Sequence, residues 1–409
     1  MRHPPTTAQE PAGAPEEERS VEQRLEKGVV VTATELEGPA PAADWSRWID
    51  LGRAPGTTGL PSFESSWRED LEQLAALGAT AIQVTLEWAR IEPVQGRHDV
   101  EAVEFRRQLL EEARNHGLAT WACLVDGALP GWFSDDEGGF EDERSRTLLW
   151  PRHIDWVGEH FGDLIDGWVP QREPLTWAVR RYLLAEAPPG QRDPRLAAEA
   201  VRAAVLADGE AWRLLRGTAP VATYQTVRPI RAEAAPGGGD DVRARPHAQH
   251  LERLLWHPWL SAITEGRLIA GDLAPLDVAQ LRGAFDRVVV ELRPAVDVLA
   301  DGRWRRHPPE VDPMIELLRR AADELSEHDV VAAGSLAGVP DDGRARPDHV
   351  QAVLDATAEA AAETSVVGWW QSSPIDGYHW GAGTEVDPGL IGRDRRESAG
   401  ARTFRDHRG

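Results

Sequence analysis

The chain has 409 residues, enough for two or three ordinary domains or for one barrel of eight strand-helix units, so length alone decides nothing. A hydrophobic content of 41% supports a large core, while a formal charge of -23 excludes the basic stripe that a nucleic-acid partner requires. The single cysteine, Cys123, rules out an internal disulfide and most thiolate metal sites; lying in an apolar run, it reads as a core residue.

Residues 1–27 combine Pro, Thr, Ala and a Glu-rich run without apolar periodicity, the composition of a disordered acidic tail, and the fold is expected over 28–409. Short apolar runs then recur at Gly28–Ala33, Ala81–Leu86, Ala119–Val125, Gly167–Gln171, Pro220–Thr226, Asp286–Leu292, Asp329–Ala333 and Val366–Gln371. Between them, residues 67–77, 103–116, 196–215, 314–325 and 350–362 carry apolar side chains at helical spacing. Strand alternating with helix in this way is the pattern of a single α/β unit, the (β/α)8 TIM barrel. The Gly-rich stretch 236–241 falls inside that unit and reads as a surface loop after the fifth strand. No run approaches the ~18 consecutive apolar residues of a membrane span, and the N-terminus lacks a basic-then-apolar leader pattern, so the expectation is a cytoplasmic protein without membrane contact.

Several motifs follow one another in a familiar order. Thr32-Ala33-Thr34-Glu35-Leu36-Glu37-Gly38 is similar to A-x-Q-x-E-G, Trp67-Arg68-Glu69-Asp70 to Y-K-E-D, and Glu87-Trp88-Ala89-Arg90-Ile91-Glu92-Pro93 to S-W-x-R-I-x-P. Val125-Asp126-Gly127-Ala128-Leu129-Pro130 stands where that series has Y-H-W-D-L-P, and Gly138-Gly139-Phe140 where it has G-G-W. Trp168-Val169-Pro170-Gln171-Arg172-Glu173-Pro174 resembles W-x-T-F-N-E-P, and 368–380 follows G-Y-x-x-W-S-L-x-D-N-F-E-W. In this order and spacing the chain resembles family 1 of the glycoside hydrolases, the β-glucosidase family, over roughly residues 28–400. The resemblance implies a (β/α)8 barrel and a retaining hydrolase with two carboxylates about 5–5.5 Å apart.

Glu173 matches the acid/base position of that family, but the nucleophile of I-T-E-N-G falls on Ala332 when counted back from Asp342-Gly343-Arg344; a slip of one residue gives Ala333 or Val331. A methyl group cannot attack a sugar, so retaining β-glucosidase activity is expected to be absent. Where the family holds its sugar with Gln, His, Asn, Trp and Glu, this chain has Glu35, Asp126, Arg172, Ser372 and His379, with Trp380 retained. Glu291, at the end of the sixth strand, supplies a second carboxylate opposite Glu173. It either activates water across a wider gap, as an inverting pair does at about 6.5–9.5 Å, or pairs with Arg172 or Arg293 and does no chemistry. Arg172, adjacent to Glu173, is expected to push that carboxyl toward ionisation.

Three functions remain open on the sequence. The first is a barrel repurposed for acid/base chemistry on a polar small molecule, with Glu173 and Glu291 as catalytic candidates and Glu35, Asp126, Arg172, His379 and Trp380 as binding residues. The second is a non-catalytic barrel that binds a ligand or a protein partner, and the third a glycosidase using a displaced carboxylate. No cofactor and no metal are expected, since no H-E-x-x-H or H-x-x-E spacing is present. Four carboxylates against one Arg and one His give the pocket a net negative charge, which points to a hydroxyl-rich ligand that is neutral or cationic.

Overall fold

The structure, a computed structural model, describes residues 25–60, 63–235, 238–384 and 386–407. Eight strands, β1 (Glu26–Val31), β2 (Ala81–Thr85), β3 (Ala119–Val125), β4 (Gly167–Gln171), β5 (Ala222–Val227), β6 (Arg287–Leu292), β7 (Asp329–Gly334) and β8 (Val366–Ser372), form one parallel sheet in the order β4-β3-β2-β1-β8-β7-β6-β5. The parallel bridges Trp168–Val221 and Arg172–Tyr224 join β4 to β5 and close the ring. Each strand is followed by a helix: α1 (Phe63–Ala76), α2 (Val100–Asn115), α3 (Trp150–Phe161), α4 (Pro194–Leu215), α5 (His257–Glu265), α6 (Val311–Glu324), α7 (Ala345–Glu363) and α8 (Ala399–Asp406). The protein is a single (β/α)8 barrel, and the eight predicted strands coincide with the observed ones to within about two residues at each end.

Period-two alternation sorts the strand residues into two layers. Val30, Cys123, Val169, Val289 and Val331 fill the barrel, whereas Val29, Val288, Val290 and Val330 pack outward against the helices. The floor holds two indoles, Trp121 and Trp370, with ring centroids 5.4 Å apart. Only glycine leaves room for them: a Cβ on Gly28 would stand 2.2 Å from Trp370, and one on Gly167 2.3 Å from Trp121.

This floor corrects the expected start of the fold at residue 28. Glu26 pairs with Gly368 in β8, accepts a hydrogen bond from Trp370 Nε1 at 2.7 Å and bridges Arg287 at 3.0 Å. Lys27, the chain's only lysine, donates from Nζ to the carbonyls of Phe404 at 2.8 Å and His407 at 3.1 Å. Residues 25–27 therefore belong to the barrel, and the rest of the proposed tail lies outside the described residues. Of the Gly-rich stretch, 236–237 also lie outside them; Gly238 and Gly239 form a turn after β5 in which Ala235 N donates to Gly239 O at 2.8 Å.

Candidate functional site

The C-terminal ends of the strands form one mouth, where (β/α)8 barrels carry their chemistry. Three non-glycine residues leave the strands there with positive φ: Glu87 at 45° after β2, Glu173 at 52° after β4 and Ser373 at 51° after β8. Such conformations cost on the order of 1–3 kcal/mol each and persist where surrounding bonds hold them. Here the bonds are visible. Glu87 accepts from Ala40 N at 2.8 Å, Glu173 N donates to Tyr224 O at 3.0 Å, and Ser373 Oγ donates to Glu35 Oε1 at 2.7 Å.

Arg172 is the hub of the mouth. It is 4% exposed and reaches Asp126 Oδ1 at 3.5 Å, Glu291 Oε2 at 3.5 Å and Ser372 Oγ at 3.3 Å, with its guanidinium 5.2 Å from the Tyr224 ring centre. Glu291 is fully buried and accepts from Ser372 Oγ at 2.7 Å and from the Tyr224 hydroxyl. Its expected alternative partners, Arg172 and Arg293, are both present, Arg293 Nη2 at 3.3 Å.

Glu173 is clamped from a second side. Arg293 gives it two hydrogen bonds, Nε to Oε1 at 3.2 Å and Nη2 to Oε2 at 2.8 Å, and Thr226 Oγ1 donates a third. Burial opposes ionisation of this carboxyl, but the Arg293 and Arg172 guanidiniums outweigh it and hold the group well below the ordinary glutamate range. Arg293 Nη2 thus contacts both candidate catalytic carboxylates. The space between them holds a guanidinium nitrogen, where an inverting pair needs water and a sugar carbon.

Asp126 behaves differently. It follows β3 directly, is 4% exposed, and neither carboxyl oxygen has a hydrogen-bond partner among the described residues; Arg172 at 3.5 Å is an ion-pair neighbour only. Burial, offset in part by Arg172 and reinforced by the charges of Glu35 and Glu173, pushes Asp126 up to about 7. Burial likewise raises Glu35, against the pull of Arg172. His379, half-buried in the loop after β8, has an unpartnered Nε2 and is pushed down to about 4 by burial and by Arg293 and Arg172. Arg172 Nε likewise has no hydrogen-bond partner among the described residues, and Glu291 Oε1 has only the Arg293 ion pair at 3.3 Å. Trp380 belongs to a neighbouring aromatic wall, edge-on to Trp45 at 4.7 Å and Trp177 at 4.9 Å.

The seventh strand refines the reading of the missing nucleophile. Ala332 packs in the outer layer with Val290 and Val330, while Ala333, paired in register with Glu291, faces the barrel interior with Val331. The side chain that looks into the mouth from β7 is Ala333, one residue beyond the counted position. Both candidates are alanine, so no carboxylate projects from this strand end.

Sequence reasoning missed much of the positive charge. Besides Arg172, the mouth and its rim contain Arg293, Arg228, Arg180 and Arg306, each within electrostatic reach of the others. Arg228 and Arg293 lie immediately beyond the ends of β5 and β6, a position that strand alternation marks as mouth-facing. Tyr224 and Thr226 alternate inward from Ala222 in the same way. The six residues counted from the sequence are therefore only part of the charge at the mouth.

A family model described as glycosyl hydrolase family 1 matches residues 60–260. The β-glucosidase A of Thermotoga maritima is 26% identical over 208 residues, covering 47% of this chain and 45% of that protein. The chain thus spans a little under half the length of the first relatives it matches. A β-glucosidase from Agrobacterium sp. aligns over 411 residues at 23% identity, covering 89% of both chains. In three dimensions, the β-glycosidase from Pyrococcus horikoshii superposes with a TM-score of 0.80 at 20% identity, covering 94% of this chain and 93% of that one.

Proposed function

The chain belongs to glycosyl hydrolase family 1, and from that premise we propose that it binds a hydroxyl-rich small molecule at the barrel mouth and performs acid/base chemistry on it through Asp126, without retaining glycoside hydrolysis. Asp126 carries this reading: a sealed carboxyl at the end of a barrel strand, pushed up to about 7 by burial, with Arg172 as an ion-pair neighbour at 3.5 Å and no hydrogen-bond donor within bonding geometry among the described residues. Buried polar atoms are nearly always hydrogen-bonded, so the oxygens of Asp126, Arg172 Nε and His379 Nε2, which have no hydrogen-bond partner among the described residues, are where ligand hydroxyls fit. A group poised near neutral pH can both take and give a proton. Glu173, ionised by Arg293, is in the wrong state to protonate a leaving oxygen, and β7 offers no nucleophile.

The family's β-glucosidases supply the ligand class, a polyhydroxylated ring. Calorimetric titration with glucose in two buffers of different ionisation heat tests the assignment. Binding should be accompanied by proton exchange near pH 7, and Asp126→Asn should abolish the exchange. The competing reading, a barrel that binds without catalysis, is favoured by the Glu173 clamp; glucose binding whose proton linkage survives Asp126→Asn would select it.

A further inference from the structure

On the rim beside Glu173, three guanidiniums gather, of which two share one carboxylate and the third has none among the described residues. Arg228, one residue past β5, lies 5.0 Å over the Trp304 ring, has its Nε sealed from solvent without an acceptor, and bonds to no carboxylate among the described residues. Arg306 stands over the same ring at 6.0 Å and approaches Glu186 at 3.7 Å. Arg180, on the short helix Pro174–Tyr182 that begins after Glu173, reaches the same Glu186 oxygen at 3.5 Å. The other oxygen of Glu186 accepts from Trp304 Nε1 at 3.0 Å. Glu173, the next carboxylate along, is taken up by Arg293 and Thr226.

The electrostatics agree with this count. Burial and the neighbouring Arg293 push Arg228 down to about 9; burial and Arg306 push Arg180 down to about 10 despite Glu186. Guanidiniums so arranged repel one another, and an oxyanion with two or three acceptor atoms offsets the repulsion by bridging their forks. Arg228 and Thr226 also line a cavity of about 350 Å³ that runs away from Arg180 and Arg306 toward Trp256 and His257, where Glu252 and Glu324 face Arg253 and Arg320. Its size suits a small molecule rather than a protein segment.

We infer that the mouth holds a second subsite, built on Arg228 with Arg180 and Arg306 beside it, that binds an oxyanion carried by the hydroxyl-rich ligand. The inference rests on the ligand class proposed above and reverses its charge: the molecule is an acidic sugar or cyclitol derivative, its carboxylate or phosphate on the rim and its hydroxyls toward Asp126. An Arg228 left unpaired by every carboxylate around it is the feature that a neutral or cationic ligand leaves unexplained.

The test is calorimetric titration of the full chain at constant ionic strength with glucose, glucuronate, glucose 6-phosphate and inorganic phosphate. At least one acidic sugar should bind tenfold or more tightly than glucose, and the preferred one identifies the oxyanion as carboxylate or phosphate. That advantage should vanish in Arg228→Gln, return in part in Arg228→Lys, and persist in Arg195→Gln, an exposed arginine on α4 paired only with Glu199. Unchanged urea midpoints for these variants exclude misfolding as the cause. Equal affinity for neutral and acidic sugars, an advantage that survives Arg228→Gln, or binding by none of the four overturns the subsite. Glucose binding with Asp126-dependent proton exchange but no acidic preference rejects the subsite alone. An acidic preference lost in Arg228→Gln but indifferent to Asp126→Asn keeps the subsite and rejects the Asp126 reading.

Discussion

At the scale of single residues, neighbouring carboxyls have been shifted in opposite directions, Asp126 upward by burial and Glu173 downward by its guanidinium partners. Glu173 has two guanidinium bonds and a hydroxyl; Asp126 has none and sits 3.5 Å from a guanidinium already shared with Glu291. The sequence foresaw ionisation of Glu173 but credited Arg172, whose influence ranks behind that of Arg293, a residue 120 positions away in the chain. Arg293 could not be ranked first from the sequence because it reaches Glu173 from the end of β6, brought there only by closure of the barrel. The raised Asp126 has a definite signature in stability. A carboxyl whose folded value is about 7, above the unfolded value of about 3.9, favours folding fully below the unfolded value and loses that contribution as pH rises through 7. Asp126→Asn should therefore match the parent within about 1 kcal/mol at pH 4, and exceed it by roughly 2–4 kcal/mol at pH 8. Urea denaturation at the two pH values measures the difference. An Asn variant equally destabilised at both would mean that Asp126 is ionised and paired throughout.

At the scale of elements, β7 illustrates what counting along a chain gives and what it misses. Spacing from Asp342-Gly343-Arg344 placed the lost nucleophile at Ala332, yet alternation along Asp329–Gly334 turns Ala332 toward the helices and Ala333 toward the mouth. One residue of register exchanges the two faces of a strand. Ala332→Glu should accordingly bury a charge in the apolar outer layer and cost on the order of 3–5 kcal/mol or prevent folding. Ala333→Glu, directed at Arg172 and Glu291, should be tolerated better. Neither should create β-glucosidase activity, because Glu173 remains ionised. Equal urea midpoints for the two variants would show that the face assignment is wrong. The strands were legible because each is a short apolar run between helical patterns. The helix α5 was not, because Trp256, His257, Pro258 and Trp259 at its start carry no amphipathic period. β1 was cut short at Gly28 because Glu26 and Lys27 look like tail residues; their partners Arg287, Trp370 and Phe404 come from distant parts of the chain.

At the scale of the whole molecule, the (β/α)8 barrel of its glycosidase relatives has been kept, with Glu173 at the acid/base position and alanine where the nucleophile is expected. Its floor of Trp121 and Trp370 and its closed ring of eight strands are general to a packed barrel and say nothing of chemistry. The difference lies in the mouth, where β7 ends in alanines and Arg293 stands between Glu173 and Glu291. The matched family model ends at residue 260, before β7 and Arg293, while the replacements Asp126 and Arg172 lie within it, so the mouth differs on both sides of that boundary. The most direct measurement of that departure is the intact mass of the protein after incubation with a 2-deoxy-2-fluoro-β-glucoside inactivator, which traps the glycosyl-enzyme of a retaining β-glucosidase. An unchanged mass is the expected result. A stoichiometric glycosyl adduct on any carboxylate of the barrel mouth would contradict the account.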